Sequence, residues 1–121
     1  MFDIIKRLST VMQPPSHQQP ICLQAHGREF IELLGKSHVL NILFFMFNNE
    51  ESMRFNHLKR EIGITATTLS RRLEDMKKQG LVDREVFAEV PARVEYKLSE
   101  KGRTLGPILK SVFSWVERMY S

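Results

Sequence analysis

Hydroxyl and guanidinium side chains cluster along one predicted helix, and together they have the chemistry to hydrogen-bond a nucleic acid. The helix is predicted from Ala66 to Gln79, and its face and flanks carry Thr67, Thr68, Ser70, Arg71, Arg72, Asp75 and Lys78. Apolar residues at three- and four-residue spacing share the opposite face: Ala66, Leu69, Leu73 and Met76. Small hydroxyls permit close approach to base edges, and arginine forks can bond guanine or phosphate. The pattern predicts a helix that reads the major groove of double-stranded DNA.

Capping residues on either side predict how that helix is held. Asn56 is expected to cap a short preceding helix, and Gly63, which accepts the left-handed conformation, is expected to end it. Thr65 is expected to cap the groove-reading helix and Gly80 to stop it. Thr65 is also expected to contact DNA, with the residues that follow it as far as Lys78. Taken alone, an amphipathic helix with a charged outer face is more often simply solvated. The short helix and tight turn in front of it raise the odds of DNA binding well above that base rate.

The residues after Gly80 change from helical to alternating periodicity. This predicts two strands, at Leu81–Val86 and Arg93–Leu98, joined by a turn at Ala88–Ala92. Met53–Phe55 is expected to add a short third strand. Helix, turn, helix and hairpin form a winged helix-turn-helix, in which Arg93 and its wing neighbours would reach the adjacent DNA backbone or minor groove.

Several runs in this unit are similar to those of the HxlR-type transcriptional regulators. They are Gly35-Lys36, Arg54-Phe55-Asn56-His57-Leu58, Gly63-Ile64-Thr65, Leu69-Ser70-Arg71-Arg72-Leu73, Gly80-Leu81-Val82-Asp83-Arg84 and, the most specific, VPARVEYKLSEKG from Val90 to Gly102. The resemblance implies a prokaryotic, homodimeric winged-helix regulator, with dimer contacts made by helices outside the DNA-reading unit. The chain departs from the family at Ser37, where a Trp is usual, and at Cys22-Leu23, where a Cys-Pro pair is usual. The second departure weakens the case for cysteine-based sensing.

Charge and length fit such a regulator. The chain has 121 residues and a formal net charge of +4. Between Met53 and Arg103 there are twelve Lys and Arg against eight Asp and Glu, so the whole excess lies on the predicted winged-helix unit. This placement favours a polyanionic partner. A single cysteine excludes an internal disulfide framework and is typical of a reducing cytoplasm.

The N-terminal residues 1–20 are expected to stand apart from the domain at residues 21–121. Phe2–Met12 predicts a short amphipathic helix rather than a secretory signal, and Gln13–Pro20 an extended connector. Within the domain, a helix is expected over Gln24–Leu34. Ser37 is then expected to cap a buried central helix over His38–Phe47, which is too short to span a bilayer.

The last predicted helix, capped by Ser99 and running to about Tyr120, has a wide apolar stripe with no later chain to cover it. The N-terminal helix could cover part of this stripe, but a partner subunit is the natural cover. The residues expected to form the dimer interface are Leu109, Val112, Phe113, Val116, Met119 and Tyr120.

Other chemistry is weakly supported. The histidines, His17, His26, His38 and His57, lack the close pairing of a metal site, and neither a cofactor nor a catalytic arrangement is predicted. Cys22 precedes a predicted helix, whose positive end could activate its thiol as a redox or electrophile sensor. The alternative, a small packing residue, is favoured about two to one.

The sequence therefore predicts a mainly α fold with a small β-hairpin wing (α+β), a winged helix-turn-helix with N- and C-terminal dimerisation helices. The expected function is a cytoplasmic, homodimeric DNA-binding transcriptional regulator without enzymatic activity, acting on a near-palindromic operator. Its effector would be an unknown small molecule or a redox signal, and no membrane partner is expected. One alternative is a winged helix used as a protein-interaction module, which Glu74, Asp75 and Glu89 on the candidate surface would suit. Another is an enzyme-like sensor that binds an effector in the space between the long helices, although no residue pattern suggests a reaction.

Overall fold

Five helices and three strands follow one another along residues 24–121, the part of the chain that the computed structural model describes. The helices are α1 (Ala25–Leu34), α2 (Val39–Phe47), α3 (Phe55–Ile62), α4 (Ala66–Lys78) and α5 (Glu100–Tyr120). The strands are β1 (Met53–Arg54), β2 (Val82–Phe87) and β3 (Arg93–Leu98). Over these residues the predicted order of elements is confirmed, and so is the mainly α fold with a small wing.

The chain divides into two compact units, one ending at Leu34 and the other spanning Gly35–Ser121. The first contains α1, close to the helix predicted over Gln24–Leu34. The second contains every other element of the described chain. The predicted helix Phe2–Met12, the connector Gln13–Pro20, the expected domain boundary after residue 20 and Cys22 lie outside the described residues.

Helix α2 is the centre of the second unit, as its nearly all-apolar sequence predicts. Val39, Ile42, Leu43 and Met46 are buried, and Phe44 stacks on Phe113 of α5 with ring centroids 4.5 Å apart. The rest of this core comes from β1, α3, α4, the hairpin and α5. Its members are Met53, Leu58, Leu69, Leu73, Met76, Leu81, Val82, Leu98 and Leu109. Burial of these side chains holds the helix-turn-helix, the hairpin and the last helix in one body.

The three strands form one antiparallel sheet in the order β1-β3-β2. Val82 pairs with Leu98 at the base of the hairpin, and Phe87 pairs with Arg93 near its tip. On the other edge of β3, Arg54 pairs with Glu95, which confirms the short third strand. The expected cap at Asn56 is wrong. Helix α3 already begins after Arg54, which has extended backbone and no side-chain capping bond, because the pairing with β3 fixes the point where the chain leaves the sheet.

The start of α2 also differs from the prediction. His38, with a left-handed φ of 71°, stands at the N-cap position and makes no side-chain capping bond. Ser37 was expected to be the cap, but its side-chain oxygen instead accepts a hydrogen bond from Arg72. A positive φ in a residue other than glycine is strained by about 1–2 kcal/mol. This turn is therefore held by contacts from elsewhere in the fold.

Helix α5 begins as predicted. The side-chain oxygen of Ser99 accepts the backbone N–H of Gly102 at 3.0 Å, and its hydroxyl donates to the Gly80 carbonyl. The backbone N–H of Ser99 donates to the Leu81 carbonyl at 2.9 Å. These bonds tie the first turn of α5 to the end of the helix-turn-helix.

Among the described helices, none is by itself long and apolar enough to cross a membrane. Gly27–Leu34 and Val39–Phe47 taken together are long and apolar enough, by length and composition only. The second of these segments, α2, is the buried core helix.

Candidate nucleic-acid interface

The turn between α3 and α4 has the geometry that the sequence predicts. Gly63 adopts a φ of 75°, and its N–H donates to the Lys59 carbonyl at 2.9 Å, which ends α3. Thr65 caps α4, since its side-chain oxygen accepts the N–H of Thr68 at 3.2 Å. The Thr65 hydroxyl in turn donates to the Thr68 side-chain oxygen at 3.0 Å. Thr65 is therefore engaged in holding the first turn of α4, while the Thr68 hydroxyl keeps a proton to donate outward.

Helix α4 separates its buried and exposed faces clearly. Leu69, Leu73 and Met76 are fully buried and fix the helix to the core. Ala66, expected on that face, is exposed with Thr65 and Thr67, because the first turn of α4 extends beyond the core. Four of the α4 residues predicted to contact DNA are exposed: Thr67, Ser70, Arg71 and Lys78. Hydroxyl donors thus precede cations along one accessible helix face.

Arg72 and Asp75 point elsewhere. Arg72 Nε donates to the Ser37 carbonyl at 3.0 Å, and its Nη2 donates to Ser37 Oγ at 3.3 Å. Asp75 Oδ2 lies 3.1 Å from Lys36 Nζ and 3.9 Å from Arg72 Nη1. Both side chains are directed to the turn ahead of α2. Lys36 and Ser37 could not be predicted as their partners, because nothing local links positions so far apart.

The wing arginine is engaged by its own hairpin. Arg93 Nη2 lies 3.2 Å from Glu89 Oε1, and its Nε lies 3.0 Å from Glu95 Oε2. The Nε contact is an ion pair without the alignment of a hydrogen bond. The guanidinium also lies over the Phe87 ring, 4.0 Å from its centroid. Two carboxylates of its own hairpin therefore compete with a phosphate for Arg93.

The outer surface of the two-helix unit is cationic. Residues 55–78, which contain α3 and α4, carry six Lys and Arg against three Asp and Glu. Lys59, Arg60, Arg71, Lys77 and Lys78 are all exposed. Because Asp75 is paired with Lys36, the unpaired excess on this surface is positive. Such a surface attracts a polyanion and steers it to the helix.

The residues predicted for dimerisation separate into two groups. Leu109 is buried in the chain's own core, and Phe113 stacks on Phe44. Val112, Val116, Met119 and Tyr120 are exposed, and Ile108 and Trp115 extend the same stripe. Trp115 was not named in the predicted interface, although its spacing from Val112 and Met119 places it on that face.

The histidines occupy local positions. His38 lies at the turn before α2, and the His57 ring lies 6.2 Å from that of Phe45. Within residues 24–121, no group of three or more His, Cys, Asp or Glu could hold a metal ion.

The fold and this surface define a winged helix-turn-helix protein, whose second helix presents hydroxyls and cations and whose hairpin forms the wing. Residues 33–121 match the family described as HxlR-like helix-turn-helix. The chain belongs to this family of DNA-binding transcriptional regulators, which are not enzymes.

Two relatives are regulators of the helix-turn-helix type. The chain is 40% identical over 75 residues to BH0655 of Halalkalibacterium halodurans, and the match covers 61% of this chain and 66% of the relative. It is 35% identical over 86 residues to YvaP of Bacillus subtilis, with 70% of this chain and 78% of the relative covered. The match therefore spans just under two thirds of the first relative.

Two solved structures share the fold. The reduced form of the transcriptional regulator YodB from Bacillus subtilis superposes with a TM-score of 0.67 and 25% identity, over 82% of this chain and 96% of YodB. The reduced form of the redox regulator HypR gives a TM-score of 0.68 and 33% identity, over 75% of this chain and 89% of HypR.

Proposed function

We propose that this regulator binds a near-palindromic operator as a homodimer, with α4 of each subunit in the major groove of one half-site. The observation that carries this proposal is the placement of Arg71. It is exposed, and it lies on the side of α4 opposite the buried stripe of Leu69, Leu73 and Met76. Packing of that stripe against the core therefore directs Arg71 away from the protein body.

The contacts divide by chemistry into base reading and phosphate binding. Thr67 and Thr68 lie in the first turn of α4, which usually approaches the base edges most closely. Arg71 has the fork that bonds guanine through two atoms, and Ser70 lies beside it. Lys78, in the last turn, is a point charge suited to a phosphate, and Arg93 would add a wing contact.

A pair of variants tests this division. On an operator selected from a random pool, Arg71→Ala should lose about 1–3 kcal/mol and relax the preference at one position. Lys78→Ala should weaken operator and random duplex alike, and should lower the slope of log K against log salt by about one. Equal losses on both DNAs for the two variants would contradict base reading by Arg71. Absence of salt-dependent binding by the native protein would instead favour the protein-interaction module.

Dimerisation is supported by the exposed apolar stripe on α5. Val112, Val116 and Met119 are exposed at helical spacing, and two copies of the stripe could cover each other. A two-fold dimer places its α4 helices in successive major grooves. The protected DNA should then contain half-sites about 10 base pairs apart, or a multiple of that spacing.

We further propose that the protein acts in the cytoplasm, where prokaryotic DNA lies, and that an effector tunes its DNA binding. The likeness to HypR, described as a redox regulator in reduced and oxidised forms, supports a thiol-based signal. Cys22, the chain's one cysteine, is the residue that would carry it. One thiol per chain cannot form a disulfide within the chain, so its disulfide would join two chains or a chain and a small thiol.

A further inference from the structure

We propose that Arg72 and Asp75 are positioning residues, which fix the rotation of α4 by gripping the turn before α2, and that they do not themselves contact DNA. This inference rests on the proposed role of α4 in base reading. We define the clamp as these two α4 side chains together with the turn Lys36–Val39. Its function would be to set the angle at which Arg71 enters the groove.

The grip of Arg72 is directional. Its Nε donates to the Ser37 carbonyl at 3.0 Å, and Nη2 donates to Ser37 Oγ at 3.3 Å. A planar guanidinium that bonds two oxygens of one residue can be satisfied only over a narrow range of orientations. The Arg72 side chain is 19% exposed, so it lies along the protein rather than in solvent.

Asp75 adds a second attachment one helical turn further on. Its carboxylate pairs with Lys36 at 3.1 Å, while Arg72 Nη1 lies 3.9 Å away. The ion pair is partly exposed and contributes little stability by itself. The ion pair does, however, hold the Asp75 carboxylate away from the groove-facing side of α4, where this carboxylate would repel phosphates. Arg72 therefore fixes the orientation of α4 through its hydrogen bonds, and Asp75 adds an ion pair that neutralises its own charge.

The strained turn explains why the Ser37 carbonyl is available. His38 has φ 71° and ψ −10°, close to the second central residue of a type II turn, and Val39 N–H bonds the Lys36 carbonyl at 3.3 Å. In that turn type, the peptide between the two central residues is flipped relative to a type I turn. The flip turns the Ser37 carbonyl toward Arg72. The left-handed histidine is thus part of the clamp.

Packing of Leu69, Leu73 and Met76 against the core decides which face of α4 is buried. Burial is not directional, however, so it leaves the exact rotation of the helix to be set by the clamp. Arg71 and Arg72 are adjacent and therefore about 100° apart around the helix axis. Fixing Arg72 to Ser37 consequently fixes the direction of Arg71. Loss of the clamp should impair discrimination between DNA sequences more than overall affinity.

Arg72→Gln tests the inference on operator and random duplexes over a salt series. We expect operator affinity to fall by roughly tenfold, within the range for one misaligned base contact, with random-duplex affinity and salt slope unchanged. Lys78→Gln, which removes the same charge from the outward face, should weaken both DNAs and lower the slope by about one. If Arg72→Gln behaves like Lys78→Gln, Arg72 is a phosphate contact and the clamp proposal is wrong.

A second pair of variants tests the turn. His38→Gly accepts a positive φ and should preserve discrimination, whereas His38→Val disfavours it and should reduce discrimination as Arg72→Gln does. The double variant Arg72→Gln with His38→Val should be no worse than the poorer single variant. Additive losses, or equal behaviour of the two His38 variants, would overturn the proposal.

Thermal unfolding separates this proposal from the proposed function. The same double-variant cycle, measured by circular dichroism, should show that the two losses of stability are not additive. This coupling does not depend on DNA. If the native protein fails to bind DNA, the proposed function is wrong, and an additive cycle in unfolding would then overturn the clamp separately.

Discussion

Gly102 and Leu81 meet main chain to main chain: a methyl group at position 102 would overlap the carbonyl oxygen of Leu81. The same carbonyl accepts the N–H of Ser99 at 2.9 Å. The first turn of α5 thus packs directly against Leu81, the residue that precedes β2. This contact joins the DNA-reading unit to the helix that carries the exposed apolar stripe.

Gly102→Ala should therefore destabilise the protein by about 1–3 kcal/mol, in the range for overpacking a core, because a backbone carbonyl cannot move aside without breaking its own bond. Gly106→Ala is the matched variant one turn later, where the added methyl would meet the ring of Phe47. That side chain is only partly buried and can move to another rotamer, whereas a backbone carbonyl cannot, so the loss should be smaller. Urea unfolding of both variants measures the difference. An equal or larger loss for Gly106→Ala would contradict the assigned role of the Leu81 carbonyl.

The wing gives a second prediction, since Glu89 and Glu95 compete with DNA for Arg93. Arg93→Ala should weaken binding to operator and random duplex alike and lower the salt slope by about one. Glu89→Gln should raise both affinities, because it releases Arg93. Glu85→Gln, an exposed wing carboxylate without that ion pair, corrects for the general loss of negative charge. The gain from Glu89→Gln should exceed that of Glu85→Gln, and the excess should vanish in an Arg93→Ala background. A persisting excess would exclude competition for Arg93.

The third prediction concerns assembly through α5. Val112→Glu places a charge in the exposed stripe and should dissociate the dimer, whereas Lys110→Glu, about 200° around the helix, should leave it intact. Sedimentation measures the mass of each variant. Trp115, the chain's one tryptophan, is 51% exposed and should shift its fluorescence to shorter wavelength as dimers form. A native mass near 14.2 kDa at micromolar concentration would contradict the dimer.

The fourth prediction concerns Cys22. Diamide, a thiol oxidant, should change operator binding of the native protein and should cross-link two chains. Cys22→Ser should retain DNA binding and lose both responses. Non-reducing gels and gel-shift assays measure the two effects together. The same response in both proteins, or none in either, would leave Cys22 as a packing residue.

Features with local signals could be predicted from the sequence. Gly63 adopts a φ of 75°, and Thr65 and Ser99 cap the helices that follow them. Each of these depends on residues within three or four positions, which a single sequence displays. The periodicity of Leu69, Leu73 and Met76 likewise determined which face of α4 is buried.

Features decided by distant partners could not be predicted in this way. Ser37 has the side chain of a cap, but Arg72, 35 positions later, takes both its hydroxyl and its carbonyl. Arg93 has the charge of a DNA ligand, yet the hairpin register places Phe87 against it, and the pleat of β3 puts Glu95 on the same face of the strand. A sequence shows which groups can bond, but the competition among them is settled only when the chain is folded.

The short sheet also has a consequence for how copies of the protein can associate. Its two edges are β1, only two residues long, and β2, where Asp83, Arg84 and Glu85 are exposed. An edge strand of two residues and an edge strand with exposed charges are both poor sites for pairing with a strand of another chain. Aggregation through the sheet is thereby disfavoured even at the high local concentration of proteins gathered on DNA. Self-association is left to the helices, where it can stop at two copies.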